Sequence, residues 1–168
     1  GIVAVTPVNG TVKIISDLLP LGIPLVIEKP AGRNSEEAGK LLELVRASGT
    51  PHMVSFNRRF TPAILKAKDW LKANAANRPP RFLLARMLRN CRTEPTFVKE
   101  TGIHLVDSVL QFMSRPLKVS SSRCDFVWNG KVTFDDGAMA QLVMAPQTGV
   151  TEESYEIMGQ DYCIQIDT

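Results

Sequence analysis

A lysine that directly follows an apolar run is the first residue whose placement points to chemistry. The segment "PLVIEKP" runs from Pro24 to Pro30 and puts Lys29 just behind residues that suit a buried strand. Open α/β sheets bind their ligands in the crevice at the carboxyl ends of the strands. An ammonium group there can stabilise negative charge that develops on a substrate oxygen. Lys29 is therefore a candidate site residue, and the alternative is an exposed loop lysine, the commonest setting for this residue type.

A histidine at the start of a later helical pattern could exchange protons. His104 heads the amphipathic stretch "HLVDSVLQFM", and an imidazole with an ordinary pKa of about 6.5 gains and loses a proton near neutral pH. If Thr101 caps this helix, His104 lies in its first turn, where the helix dipole favours the neutral, proton-accepting ring. The alternative is a histidine that only caps or packs at the start of the helix.

Composition limits the function classes. The chain has 168 residues, 44% of them hydrophobic, and a formal net charge of +3, which fits one soluble globular domain or two small ones. The basic residues form no stripe and no aromatic residues interleave with them, so a nucleic-acid partner is not expected. The longest apolar stretch, Leu18 to Ile27, is interrupted by proline and glycine and is shorter than the roughly 20 residues of a membrane span.

The three cysteines, Cys91, Cys124 and Cys163, are far apart and have no metal-type spacing. This pattern indicates no metal site and favours a reducing, cytoplasmic compartment. We expect the three thiols to be packing residues.

The first sixty residues alternate between strand and helix patterns. The strands are "GIVAV", "PLVI" and "HMVSF", and the helices are Thr11 to Leu21 and a second one capped by Asn34 or Ser35. This order predicts right-handed crossovers and a parallel sheet.

The pattern changes after Phe56. A helix from Pro62, a strand "RFLLARML" and the helix at His104 are followed by hairpin-type strands, with turns expected at Asn129-Gly130 and Asp136-Gly137. These signals predict an antiparallel meander and place a domain boundary near Arg58.

Five motifs resemble, in order, those of the glucose-fructose oxidoreductase, inositol dehydrogenase and rhizopine catabolism (Gfo/Idh/MocA) oxidoreductase family: "VAVTP", "VIEKP", "SFNRRF", "ETGIHLVD" and "YEIMG". Each motif alone is weak, but all five in order cover nearly the whole chain. The resemblance implies an α/β fold: the C-terminal part of a Rossmann parallel sheet, then an α+β domain with a mainly antiparallel open sheet. Residues 1–57 would be a partial NAD(P)-binding Rossmann domain, and residues 58–168 a partial C-terminal α/β substrate and oligomerisation domain.

The resemblance also implies roles for individual residues in an oxidoreductase of the CH–OH type that uses NAD or NADP. Lys29 would hold the substrate oxygen and His104 would be the base. Glu100 stands where the family usually has aspartate and would be the third member of the catalytic set. Arg58 could reach a polar substrate, and a surface ion pair is the alternative. The expected cofactor contacts are Thr6, Pro7, Glu28, Lys29, Pro30 and Asn57. Thr11 departs from the family, in which many members carry histidine.

A dinucleotide fold needs a G-x-G-x-x-G turn after its first strand to hold the pyrophosphate, and none of the eleven glycines has that spacing. We therefore expect the chain to be a piece of a longer NAD(P)-dependent oxidoreductase that acts on a sugar, cyclitol or related polyol, and to be inactive by itself. The family resemblance implies a homo-oligomer for the full-length protein.

Two other interpretations stay open. The first is a non-catalytic oligomerisation or interaction module derived from the family. The second is a family member with a different substrate, such as a ketose, imine or nucleotide-sugar reductase.

Overall fold

A computed structural model describes the whole chain, Gly1–Thr168, as two compact units. The first unit is Gly1–Phe56 and the second is Asn57–Thr168. Each unit has a hydrophobic core of its own.

The first unit contains a three-stranded parallel sheet. Its elements in chain order are β1 (Ile2–Ala4), α1 (Thr11–Leu18), a 3₁₀-helix (Leu19–Leu21), β2 (Leu25–Ile27), α2 (Ser35–Ser48) and β3 (His52–Val54). The strand order is β1-β2-β3, and both pairings are parallel. The predicted parallel sheet is thus confirmed.

Local sequence sets the helix ends in this unit. Asn34 caps α2 by accepting a hydrogen bond from the Glu37 backbone N–H at 2.9 Å, and Gly49 ends it with a left-handed φ of 66°. The helix predicted from Thr11 to Leu21 is two elements, because Pro20 lacks the N–H that would continue the α-helix.

The second unit is built on a six-stranded sheet. Its elements in chain order are a 3₁₀-helix (Asn57–Phe60), α3 (Pro62–Asn74), β4 (Phe82–Leu88), a π-helix (Val98–Gly102), α4 (Ile103–Leu110), β5 (Pro116–Cys124), β6 (Val127–Phe134), β7 (Met139–Ala145), β8 (Glu152–Gly159) and β9 (Tyr162–Asp167). The strand order is β5-β6-β7-β4-β8-β9.

This sheet is mainly antiparallel, as predicted, but it is not a simple meander. β4 lies between β7 and β8, and its pairing with β7 is parallel whereas the other four pairings are antiparallel. The physical reason is burial, since Leu83, Ala85 and Met87 on one face of β4 are fully buried. A strand with such a face is suited to a central position, where β4 separates β7 from β8, two strands that are consecutive in sequence.

The turn predicted at Asn129-Gly130 is wrong. Both residues lie inside β6, where Gly130 pairs with Ser121 on one side and with Leu142 on the other. The hairpin reverses instead at Asp125, which has a left-handed φ of 51°. The Asp136-Gly137 turn is present, since the Gly137 N–H donates to the Phe134 carbonyl at 3.0 Å and its φ is 80°.

The core of the second unit lies between one face of the sheet and the helices α3 and α4. Ile64 and Ala67 come from α3, and Leu105 and Val109 come from α4. The expectation that the cysteines are packing residues is wrong, because Cys91, Cys124 and Cys163 are all exposed. None of the helices is both long and apolar enough to span a membrane.

Candidate active site

Five of the candidate residues follow the strand ends at one edge of the parallel sheet. Ala4 and Ile27 are partners in the β1–β2 register, so Thr6 and Lys29, each two residues further on, leave the sheet side by side. The pairing continues past the strands, because the Glu28 N–H donates to the Ala4 carbonyl at 3.0 Å. The first unit thereby brings together, at its carboxyl edge, Thr6, Pro7, Glu28, Lys29 and Pro30.

Lys29 is held close to the sheet. Its side chain is 20% exposed, and its Nζ lies 4.0 Å from Oε1 of Glu28. The Lys29–Pro30 peptide bond is cis. The edge therefore presents a largely buried ammonium group beside a carboxylate.

Thr11 fastens the loop that follows β1. Its Oγ1 lies 2.9 Å from Oγ1 of Thr6 and donates to the Pro7 carbonyl at 3.3 Å, and the residue is 1% exposed. Thr11 thus joins two predicted cofactor contacts, Thr6 and Pro7, to the first turn of α1.

Glu100 and His104 lie one helical turn apart in the second unit. Glu100 is in the π-helix and is partly buried, whereas His104 is the second residue of α4 and is 8% exposed. Single turns of π-helix occur often at functional sites. The arrangement gives a carboxylate and an imidazole in one continuous helical segment.

The predicted cap by Thr101 is wrong. Thr101 lies within the π-helix, and its Oγ1 accepts a hydrogen bond from Arg92 at 3.2 Å, while α4 begins after Gly102 without a side-chain cap. Because the helical run starts at Val98, the first turn of α4 is not a free helix end. The dipole argument for a neutral His104 therefore does not apply in the form predicted.

Gly102 allows this helical segment to sit directly on the sheet. A Cβ at this position would lie 2.5 Å from Sδ of Met144 on β7. Glycine at the π-helix–α4 junction thus sets the height of Glu100 and His104 above the sheet.

Arg58 takes part in a buried ion cluster. Its Nε donates to Oε1 of Glu153 at 3.1 Å, and Arg89 donates to the other oxygen at 2.5 Å. The Tyr155 hydroxyl also donates to Glu153, at 2.8 Å. The structure therefore shows the ion pair that was the alternative to a substrate contact.

Electrostatics in this cluster keep Glu153 ionised. Burial raises the pKa of its carboxyl, but the hydrogen bonds from Tyr155, Arg89 and Arg58 and the charge of Arg58 outweigh burial and hold the pKa below its ordinary value. The pKa of Tyr155 is raised by burial and by the neighbouring Glu153 charge, so the phenol remains protonated.

The groups that pair with Arg58 and Arg59 were not predicted from the sequence. Glu153, Arg89 and Tyr155 form the cluster around Arg58, and Asp107 pairs with Arg59. The one signal in the sequence was the adjacent pair Arg58-Arg59, since two neighbouring guanidiniums require acidic partners if they are partly buried.

The remaining candidate, Asn57, is exposed at the start of the 3₁₀-helix that opens the second unit. Lys29 belongs to the first unit, and Glu100 and His104 belong to the second. The catalytic and cofactor roles of all these residues stay predictions. No group of three or more histidine, cysteine, aspartate or glutamate residues is arranged to hold a metal ion.

Comparisons with known proteins agree with the motifs. No protein-family model matches the chain. The rhizopine catabolism protein MocA of Rhizobium meliloti is 30% identical over 73 residues, which are 44% of this chain and 23% of that protein. A levoglucosan dehydrogenase of Pseudarthrobacter phenanthrenivorans is 37% identical over 57 residues, which are 34% of this chain and 15% of that protein.

The fold is that of solved inositol dehydrogenases. Scyllo-inositol dehydrogenase from Lactobacillus casei, solved with NAD(H) and scyllo-inositol, superposes with a TM-score of 0.86 at 16% identity. That match covers 96% of this chain and 55% of the other, so this chain spans about half the length of that structure. The resemblance to the Gfo/Idh/MocA family that the motifs predict is confirmed.

Proposed function

We propose that the chain supplies the catalytic groups of an NAD(P)-dependent oxidoreductase that transfers hydride between the nicotinamide and a sugar, cyclitol or related polyol. The observation that carries this proposal is the pairing of two features. Lys29 lies at the carboxyl edge of a parallel sheet, and Glu100 and His104 lie one turn apart on the helical segment of the second unit. The levoglucosan and inositol dehydrogenases support the substrate class.

The residues present suit one end of such a cofactor. The edge that carries Thr6, Pro7, Glu28 and Pro30 has the position at which α/β sheets bind ligands, so these residues, with Asn57, would line the nicotinamide end. No glycine-rich turn for the pyrophosphate occurs in the sequence. A bound NAD(P)⁺ would supply the acceptor for the hydride of the carbinol carbon.

The side chains would handle the proton and the charge. The Lys29 ammonium would donate a hydrogen bond to the substrate hydroxyl and stabilise the alkoxide as it forms. His104 would take the hydroxyl proton, so that the alcohol becomes a ketone with one hydride and one proton removed. Glu100 would accept a hydrogen bond from the substrate. Because Nε of Arg58 donates to Glu153, a substrate contact by Arg58 would use its terminal nitrogens.

The test is an assay of the complete product of the reading frame that encodes Gly1–Thr168. Reduction of NAD⁺ or NADP⁺ would be followed at the absorbance of the reduced nicotinamide, with inositols, levoglucosan and simple sugars as substrates. Lys29→Met and His104→Gln should each lower kcat by about 100-fold or more, as expected for loss of a charge-stabilising or proton-transferring group.

Matched controls exist in the chain. Lys13→Met removes an exposed lysine, and His52→Gln removes the other histidine, so both variants should keep the wild-type kcat within a factor of about two, as for surface substitutions. A complete product with no glycine-rich turn and no cofactor reduction on any substrate would overturn the proposal and favour the interaction module.

A further inference from the structure

A bidentate ion pair between Arg59 and Asp107 connects α4 to the 3₁₀-helix at the start of the second unit. Arg59 donates from Nη2 to Oδ1 of Asp107 at 2.6 Å and from Nε to Oδ2 at 2.9 Å. The Asp107 side chain is 9% exposed and that of Arg59 is 44% exposed. Two roughly parallel hydrogen bonds to one carboxylate fix its orientation as well as its position.

The helix that carries Asp107 depends on tertiary contacts for its placement. α4 has eight residues, begins at a π-helix and has no side-chain cap. Short helices gain most of their stability and direction from tertiary packing. Leu105 and Val109 pack into the core on one side of α4, and His104 and Asp107 are buried on another side of the helix.

Asp107 provides one of these contacts beside His104. Residues three apart in an α-helix are neighbours on its surface, about 60° apart around the axis. The carboxylate held by Arg59 therefore lies on the same side of the helix as the imidazole of His104. The hydrogen bond to Asp107 raises the pKa of the Arg59 guanidinium above its ordinary value, so Arg59 is a cation at neutral pH.

We propose that Arg59 and Asp107 are positioning residues that set the orientation of the His104 imidazole. The proposal deepens the function proposed above, since it rests on His104 being the base. The alternative is an ion pair that only stabilises the fold. The two roles predict different results when the pair is broken in a protein that remains folded. A positioning role changes the orientation of the His104 ring, whereas a purely stabilising role leaves it unchanged.

The experiment is imidazole NMR on the 168-residue chain, without cofactor or substrate. The chain has two histidines, so the resonances of His104 are assigned with His52→Gln, and His52 serves as an internal reference. The variants are Arg59→Gln, Asp107→Asn and the double variant. The control is Arg86→Gln, which breaks a 2.6 Å pair with Glu152 at the same 44% exposure of the arginine side chain.

In each of the three variants we expect the ring resonances of His104 to move or broaden and the Nδ1/Nε2 tautomer ratio to change, while His52 and the Arg86→Gln spectrum stay as in the wild type. The double variant separates orientation from charge. Removing both partners restores the local charge balance, so a purely electrostatic effect would cancel, whereas a loss of orientation would remain.

Arg59→Lys covers the case in which the other variants do not fold. Lysine keeps the charge but not the bidentate geometry, so the His104 resonances should move less than in Arg59→Gln and still differ from the wild type. Wild-type His104 resonances in Arg59→Lys, or in folded Asp107→Asn and the double variant, would overturn the proposal and leave a structural ion pair. Because this readout needs no turnover, its result is independent of whether the kinetic test of His104 succeeds.

Discussion

Glu153 is a buried carboxylate whose ionisation affects the stability of the second unit. It is 2% exposed and carries a charge that two arginines and a tyrosine hydroxyl surround. Removing one partner from a buried ion pair costs far more than removing both, because the remaining charges lose their compensation. The cluster thus makes the stability of the second unit depend on the ionisation of one carboxyl group.

Glu153→Gln should lower the free energy of unfolding by about 3 kcal/mol at neutral pH, since it leaves Arg58 and Arg89 without their carboxylate. The measurement is urea unfolding followed by tryptophan fluorescence, because Trp70 and Trp128 both lie in the second unit. Glu152→Gln is the matched control. Its partner is Arg86 and its side chain is 40% exposed, so its cost should be below about 1 kcal/mol.

The cost of Glu153→Gln should also depend on pH. The pKa of Glu153 in the folded chain is below its ordinary value of 4.5, so its contribution is fully present above that value and is lost as the pH falls through the lower folded pKa. The difference between wild type and variant should therefore shrink below about pH 4. A difference that stays constant from pH 7 to pH 3 would show that Glu153 does not titrate with unfolding.

Local sequence patterns predict where the candidate residues lie in the fold better than they predict the partners of those residues. Lys29 follows a strand, as the apolar run before it indicates, and His104 lies in the first turn of α4, within the helix that the periodicity indicates. Arg58 and Glu153 are 95 positions apart, and no local pattern connects them. The charge cluster is a consequence of the strand order, which local patterns do not contain.

Among the elements of the second unit, two strands of the six-stranded sheet contain glycines that differ in the space available for a side chain. A Cβ at Gly130 in β6 would meet only the Cβ of Leu142, at 3.8 Å, beside a cavity of about 280 Å³ lined in part by Trp128, Val132 and Met144. A Cβ at Gly159 in β8 would overlap the ring of Tyr162, whose hydroxyl donates to the Arg78 carbonyl at 2.9 Å.

Gly130→Ala should raise the free energy of unfolding by about 0.5 kcal/mol or slightly more, because glycine weakens a strand interior and the new methyl group has room. Gly159→Ala should lower it by about 1–3 kcal/mol, the range for overpacking. Both changes are measured by urea unfolding with fluorescence detection. A loss of stability in Gly130→Ala would mean that β6 requires glycine for its backbone conformation.

The types of the elements were predictable from local sequence, whereas the arrangement of the elements was not. The apolar run of β4 indicates a strand, and its burial alternates along the chain, while Asn34 and Gly49 mark the ends of α2. The insertion of β4 between β7 and β8 depends on non-local pairing. The Asn129-Gly130 dipeptide shows the limit of turn signals, since tertiary pairing on both sides of β6 overrides the local preference.

At the scale of the whole molecule, the two units have unequal cores. Seven buried residues form the core of the first unit, whereas seventeen form that of the second. The first unit also exposes apolar side chains on its sheet, with Val3 69% and Met53 45% exposed. A unit of this size buries a smaller fraction of its surface than a larger domain and is correspondingly less stable.

We therefore predict that the two units unfold at different urea concentrations. Residues 1–56 contain no tryptophan or tyrosine, so fluorescence reports only on the second unit, whereas far-UV circular dichroism reports on both. Circular dichroism should show an early transition while fluorescence is still native, because non-coincident probes indicate separate cooperative units.

Two core truncations assign the transitions. Ile27→Ala in the first unit and Ile157→Ala in the second each remove a side chain that is at most 1% exposed, and each should cost about 2–5 kcal/mol. Ile27→Ala should move only the early transition, and Ile157→Ala only the late one. If both probes coincided and each substitution moved the whole curve, the chain would fold as one cooperative unit.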